Sequence, residues 1–159
     1  VLALARPGAA SMLFGLPLAV AGEALRVWAS GHIEKTKALA TGGPYAHSRN
    51  PLYVGSLLIA LAVGVASASA AALVAVALYF LAFYPSVMRE EARFLAERFP
   101  ETYAAWARDV PLFRPRLTPG GPRESRFLWK RVGMNREWRT VLALPLVAAL
   151  LYARRWLGI

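Results

Sequence analysis

The chain has 159 residues and a mass of 17.3 kDa, one domain by length. Hydrophobic residues are 57% and charged residues 18%, against roughly 45–50% and about 25% in soluble domains; with a mean hydropathy of +0.41, a disordered tail is excluded and an ordinary soluble domain disfavoured. The formal charge is +10, with no Cys and only two His, His32 and His47. A disulfide scaffold, a Cys-ligated metal and a Cys nucleophile are thereby excluded, no metal site is expected, and the basic excess points to cytoplasmic loops rather than nucleic acid.

In chain order, Val1–Ala5 reads as the tail of an earlier helix. Residues 11–29 form the first expected span, apolar except for Glu23 and Arg26. These two are three apart and share a helix face. Ionisable residues inside a span face the interior and mark a site; the plain alternative is a self-neutralising pair near the interface.

The run Gly42-Gly43-Pro44-Tyr45-Ala46-His47-Ser48-Arg49-Asn50-Pro51-Leu52-Tyr53-Val54-Gly55 follows. Asn50 suits an N-cap and Pro51 the first helical turn. On that reading it is only a loop that starts a membrane helix. Yet Tyr45 can stack on a flat ring, and Arg49 can hold a carboxylate in its fork. Gly42 and Gly43 let backbone approach a ligand closely. A loop and a ligand site are both compatible with these residues.

Leu52–Val87 carries no charge. As one helix it would be about 54 Å long, against a hydrocarbon core of about 30 Å. Folded at Ala66-Ser67-Ala68-Ser69 it gives two spans, 52–67 and 70–87, and backbone satisfaction in lipid requires both to be helices. Glu90-Glu91 come directly after, at the depth of Arg49 and Asn50.

Residues 88–137 are too long for a connector. Helix is expected over Glu90–Phe99, with Pro100 restarting it for Glu101–Ala107. Leu95, Phe99, Tyr103 and Trp106 make an amphipathic stripe that can lie on the membrane or close over the bundle. Pro, Arg and Gly make Val110–Arg126 irregular. A last span, 138–156, is flanked by Trp138 and Trp156, with Arg139, Arg154 and Arg155 snorkelling. The hairpin puts residues 31–51 and 88–139 on one side, with fifteen of the nineteen basic residues; Arg6, Arg154 and Arg155 lie opposite. That bias makes the two polar stretches cytoplasmic.

The expected fold is therefore all-α: one polytopic membrane domain over 1–159, with about four transmembrane helices and cytoplasmic amphipathic helices closing over a cofactor site. There is no G-x-G-x-x-G, Walker loop or G-x-S-x-G, so a soluble nucleotide fold is unsupported.

Taken together, several segments resemble the isoprenylcysteine carboxyl methyltransferase family, which is itself similar to the phospholipid methyltransferases. They are Gly22-Glu23-Ala24-Leu25-Arg26, Leu39-Ala40-Thr41-Gly42-Gly43-Pro44-Tyr45-Ala46, Arg49-Asn50-Pro51-Leu52-Tyr53-Val54-Gly55, Glu90-Glu91, the stripe from Leu95 to Trp106, and Val110-Pro111. The match covers Gly22–Pro111. It implies an integral membrane enzyme of the bacterial inner membrane that uses S-adenosylmethionine at the cytoplasmic ends of its helices. By this resemblance Lys37, Leu39, Gly43, Tyr45, Asn50, Tyr53 and Glu91 line the cofactor. Arg49 sits between cofactor and acceptor, and a lipid or prenylated acceptor enters from the bilayer.

Methyl transfer is an in-line displacement, so positioning dominates. Arg49 suits a carboxylate or phosphate, and Glu90 or Glu91 an amine. Glu23, Arg26 and Arg108 are the expected acceptor contacts. The chain departs from the family at two points. Asn50 stands where His is common between Arg and Pro, and Asp109 stands where a basic residue precedes Val-Pro, with Arg108 one earlier. The second change argues against a prenylcysteine carboxylate. The competing readings are an NADPH-dependent reductase similar to the sterol reductases and a small proton-coupled transporter.

Overall fold

The computed structural model describes residues 5–34, 37–122 and 124–157. Apart from Ala5, the expected tail of an earlier helix lies outside them, as do Lys35 and Arg123. The described residues form α1 (Ala9–Ser30), α2 (Pro51–Ala66), α3 (Ala70–Arg98), α4 (Pro100–Asp109), α5 (Trp129–Met134) and α6 (Trp138–Leu157), with a 3-10 turn over Gly43–Ala46 before α2. No strand is found among the described residues. The all-α expectation holds.

Three helices, α1, α3 and α6, are long and apolar enough to cross a membrane. Each contains a proline, Pro17, Pro85 and Pro145, which membrane helices tolerate. The expected 52–67 span is α2, a shorter apolar helix of about 24 Å. It ends where expected: Ser67 Oγ donates to the Gly64 carbonyl at 2.7 Å, and Ser69 Oγ caps α3 through Ala72 N at 3.3 Å.

The third span does not stop at Val87. α3 runs unbroken to Arg98, because residues 88–98 hold good helix formers and no Gly or Pro. It ends at Phe99, whose extended φ of −136° reflects the clash that Pro100 imposes on the residue before it. Pro100 then starts α4, as its position predicts.

α1 and α2 run antiparallel at very close range. A Cβ on Gly22 would stand 2.8 Å from the Gly55 carbonyl oxygen, and one on Gly15 2.8 Å from the Ala62 carbonyl oxygen. Gly15–Gly22 and Gly55–Ala62 are both seven apart, so small residues form one seam on each helix. Lipid offers no hydrophobic drive for helix association, and such close van der Waals contact supplies it instead. At the far end, Ser11 Oγ donates to the Ala66 carbonyl at 3.1 Å and Arg6 N to the Ser67 carbonyl at 2.7 Å.

Candidate functional site

The site end is built by the loop before α2 and the segment after α4. Backbone bonds run from Arg49 N to Pro111 O (2.9 Å), Arg116 N to His47 O (2.9 Å) and Gly120 N to Ala46 O (2.8 Å). Ser48 Oγ donates to Phe113 O at 2.8 Å, and His47 Nδ1 lies 2.8 Å from Arg116 O. The irregular stretch expected over 110–126 is thus a backbone clamp on the loop.

Asn50 occupies the N-cap position of α2 but makes no side-chain cap. Its Nδ2 donates instead to Leu112 O at 2.8 Å, so the clamp has claimed the amide. The residue is buried. Gly42 and Gly43 also serve the chain itself. A Cβ on Gly43, whose φ is +57°, would collide with the His32 ring, and one on Gly42 with the Ser125 carbonyl oxygen.

The stripe closes over the bundle rather than lying on the membrane. Tyr103 and Trp106 are buried with Leu39 and Tyr45, and Leu95 and Phe99 pack against the same cluster. Trp106 Nε1 donates to Tyr45 O at 2.8 Å, and the Tyr45 ring is tilted against Trp106 at 6.4 Å between centroids. Burial pushes the Tyr45 phenol well above its ordinary range. The carboxylates of Glu91 and Glu137 push it the same way, with Arg26 opposing.

Two polar pairs flank this cluster. Arg49 Nη1 donates to Tyr103 Oη at 2.7 Å, with the guanidinium 5.6 Å from the centre of that ring. Its Nε is buried and has no partner among the described residues. Tyr53 Oη donates to Glu91 Oε2 at 3.1 Å, bridging α2 and α3. Arg49, Tyr45, Tyr53, Leu39 and Glu91 are therefore brought to one end of the bundle. Lys37, Glu90 and Arg108 are exposed outside this cluster, and Lys37 Nζ stands 3.6 Å from Glu34 Oε1.

Glu23 and Arg26 do not neutralise one another by contact. Arg26 Nε donates to Glu137 Oε1 at 2.6 Å, Nη1 to Ser56 Oγ at 2.5 Å and Nη2 to Thr140 Oγ1 at 3.4 Å. Both Glu23 carboxylate oxygens are buried and unpartnered among the described residues. No spacing in the sequence points to Glu137, Ser56 or Thr140 as partners of Arg26. The available signal was that an Arg within a span needs a carboxylate, and Glu137 is the last one before the final apolar run. Among the described residues no three His, Asp or Glu stand together in a way that holds a metal ion.

A family model described as phospholipid methyltransferase matches residues 10–102, more than half of the chain. The chain belongs to the phospholipid methyltransferase family. The matched stretch takes in Glu23, Arg26, the loop before α2 and Glu90-Glu91, the residues that frame the site end. This family member is also similar to two curated proteins. It is 44% identical over 108 residues to the cobalt-zinc-cadmium resistance protein CzcN of Cupriavidus metallidurans, covering 67% of this chain and 48% of the relative. It is 35% identical over 108 residues to the nickel-cobalt-cadmium resistance protein NccN of Alcaligenes xylosoxydans xylosoxydans, covering 67% and 49%. The chain thus spans about half the length of the curated relatives it matches. No solved structure matches it.

Proposed function

We propose that this membrane methyltransferase moves the methyl group of S-adenosylmethionine to a lipid or membrane-associated acceptor at the cytoplasmic face of the bacterial inner membrane. The carrying observation is Arg49. Its guanidinium is held by Tyr103 at one arm, while the buried Nε has no partner among the described residues. A buried charged donor left unsatisfied is costly, and an anionic group seated there removes that cost. Glu91, exposed and reached by Tyr53, supplies the complementary charge for a cationic or hydroxyl-bearing group.

The residues fit the cofactor on one side and the acceptor on the other: Glu91 suits the cofactor's amino group or ribose hydroxyls, and Arg49 lies between cofactor and acceptor. Leu39, Tyr45 and Tyr53 offer apolar and aromatic surface beside the cofactor. When bound, the cofactor supplies a methyl already activated on a cationic sulfur. The chain's own part is then to position. Arg49 also orients a carboxylate or phosphate on the acceptor through its planar fork, and Glu90 or Glu91 accepts the proton of an amine acceptor. The clamp of residues 110–120 holds the loop rigid and covers it from water.

The two relatives carry metal-resistance names. We place this chain's contribution to such a setting in chemistry on a membrane acceptor rather than in holding the ion. Titration calorimetry of the chain in detergent tests the reading: S-adenosylhomocysteine is expected to bind without competition from NADPH. Binding of NADPH alone would replace it with the reductase reading.

A further inference from the structure

α5 is tied to one helix end and leads directly into another. Leu128 N donates to the Gly31 carbonyl at 2.9 Å. Asn135 Nδ2 donates to the Ser30 carbonyl at 2.9 Å and to the Ile33 carbonyl at 3.2 Å. These bonds reach the C-terminal end of α1, where a helix leaves its last carbonyls without internal partners. Trp138, where α6 begins, follows Asn135 closely in the chain. α5 is therefore held at the level where α1 ends and α6 starts, two helices long and apolar enough to cross a membrane.

The outward face of α5 is both apolar and basic. Trp129 is 73% exposed and Met134 66%, and a Cβ on Gly133 would meet nothing within 4 Å. Lys130 shares this face, one turn before Met134, and Arg136 and Arg139 follow, both exposed. Residues 125–139 hold five basic side chains and one acidic. The acidic one, Glu137, is bonded to Arg26. Of the five bases only Arg131 forms an ion pair among the described residues, with Glu34. All nine carboxyl side chains of the chain lie among those residues, so Lys130, Arg136 and Arg139 have no carboxylate partner. Water suits the indole and thioether poorly, and hydrocarbon suits the charges worse. The headgroup layer suits both: Trp is enriched there, and a helix with Lys and Arg on its polar side lies in it with apolar side chains at the acyl boundary.

We propose that α5 is an interfacial anchor for anionic phospholipid in the leaflet on the Arg49 side. Trp129 and Met134 reach the acyl boundary, and Lys130, Arg136 and Arg139 meet the phosphates. Because Asn135 and Leu128 bond the end of α1, lipid bound here also steadies that end. This role does not depend on methyl transfer.

Two measurements on the full chain test it. The chain has no Cys, so Met134→Cys gives a single site for a nitroxide. In nanodiscs containing phosphatidylglycerol, that label should collide more with oxygen, which enters lipid, than with a water-soluble nickel chelate. Native mass spectrometry in non-ionic detergent then compares retained phosphatidylglycerol with phosphatidylcholine. Lys130→Gln/Arg136→Gln/Arg139→Gln should lower the preference for phosphatidylglycerol by about fivefold or more, the share of at least one basic side chain at an anionic surface. Arg93→Gln/Arg98→Gln/Arg114→Gln removes the same charge elsewhere and should leave the preference unchanged. The melt and S-adenosylhomocysteine binding should persist in both. Equal losses in the two triple variants, or none in the first, overturn the proposal. A label that the chelate reaches more readily than oxygen overturns it too, even where the triple variant does not fold, and turns the face towards water and a soluble partner.

Discussion

α2 and α6 both pack on α1, and they do so by opposite means. α2 is held along its length by small residues that bring backbone to backbone. α6 is held at its two ends by polar contacts, Arg26 with Glu137 and Thr140 at one and Arg154 with Ala5 at the other, with an apolar groove of roughly 570 Å³ against α1 and α2 between them. The first mode is a continuous seam that cannot be loosened locally. The second is a pair of staples, and each staple matters in proportion to how dry it is. The Arg26–Glu137 pair is the dry one, with side chains 19% and 5% exposed.

The comparison breaks most visibly at that staple. Arg26→Leu leaves Glu137 buried without its cation, which costs about 3–5 kcal/mol. A thermal or denaturant melt in detergent should show this, with most of it recovered in Arg26→Leu/Glu137→Leu. If the double variant is no better than the single, the pair is not what holds α6. The seam comes next. Gly22→Ala drives a methyl against the Gly55 carbonyl oxygen and should destabilise by about 1–3 kcal/mol as overpacking. An unchanged melt would mean that α1 and α2 are further apart than described.

Smaller in energy, though decisive for chemistry, is the site end. Arg49→Lys keeps the charge and loses the fork. Turnover should fall about tenfold, the loss of one contact of roughly 1.4 kcal/mol in the transition state, with cofactor affinity changing less. Glu91→Gln should weaken S-adenosylhomocysteine binding more than turnover at saturating cofactor. Full turnover in a folded Arg49→Lys protein would reduce Arg49 to an interfacial charge.

The mildest effect is that of pH on the cap. Burial first, then Glu91 and Glu137, raise the Tyr45 phenol above its ordinary value of 10.0. Above about pH 10 the unfolded chain therefore loses this proton while the folded one keeps it. The linkage term is fully present below pH 10 and shrinks as pH rises through the folded value. Tyr45→Phe should flatten the alkaline limb of a melting-temperature profile and leave the neutral region's slope unchanged.

Much of this was legible in the sequence because it rests on local signals. The charge-free run, the Ser67-Ala68-Ser69 turn, the restart at Pro100 and the final span between Trp138 and Trp156 each follow from composition or turn chemistry within a few residues. The stripe from Leu95 to Trp106 was visible as a stripe, but periodicity does not say what it packs against. Arg26 and Glu137 are 111 residues apart, and no spacing rule links them. The place of Asn50 before Pro51 predicts a helix cap. Its amide instead serves Leu112, a choice made by a segment 62 residues downstream. The glycines at 42 and 43 signal close approach, and the chain groups that approach them are the Ser125 carbonyl and the His32 ring.

The clamp on the loop also sets an order of events during synthesis. α1, α2 and the apolar part of α3 are complete once residue 87 has been made, and their seam needs nothing further. The loop that carries Arg49 gains its partner Tyr103 only 54 residues after itself, and its last backbone contact, Gly120 to Ala46, 74 residues after Ala46. At roughly 5–20 residues per second, the helices can be in the bilayer for several seconds before the loop acquires its shape. A nascent chain stopped at the end of α3 would hold a paired membrane hairpin and an unfinished site. Whatever the Arg49 loop does would then be acquired only after the helices have paired.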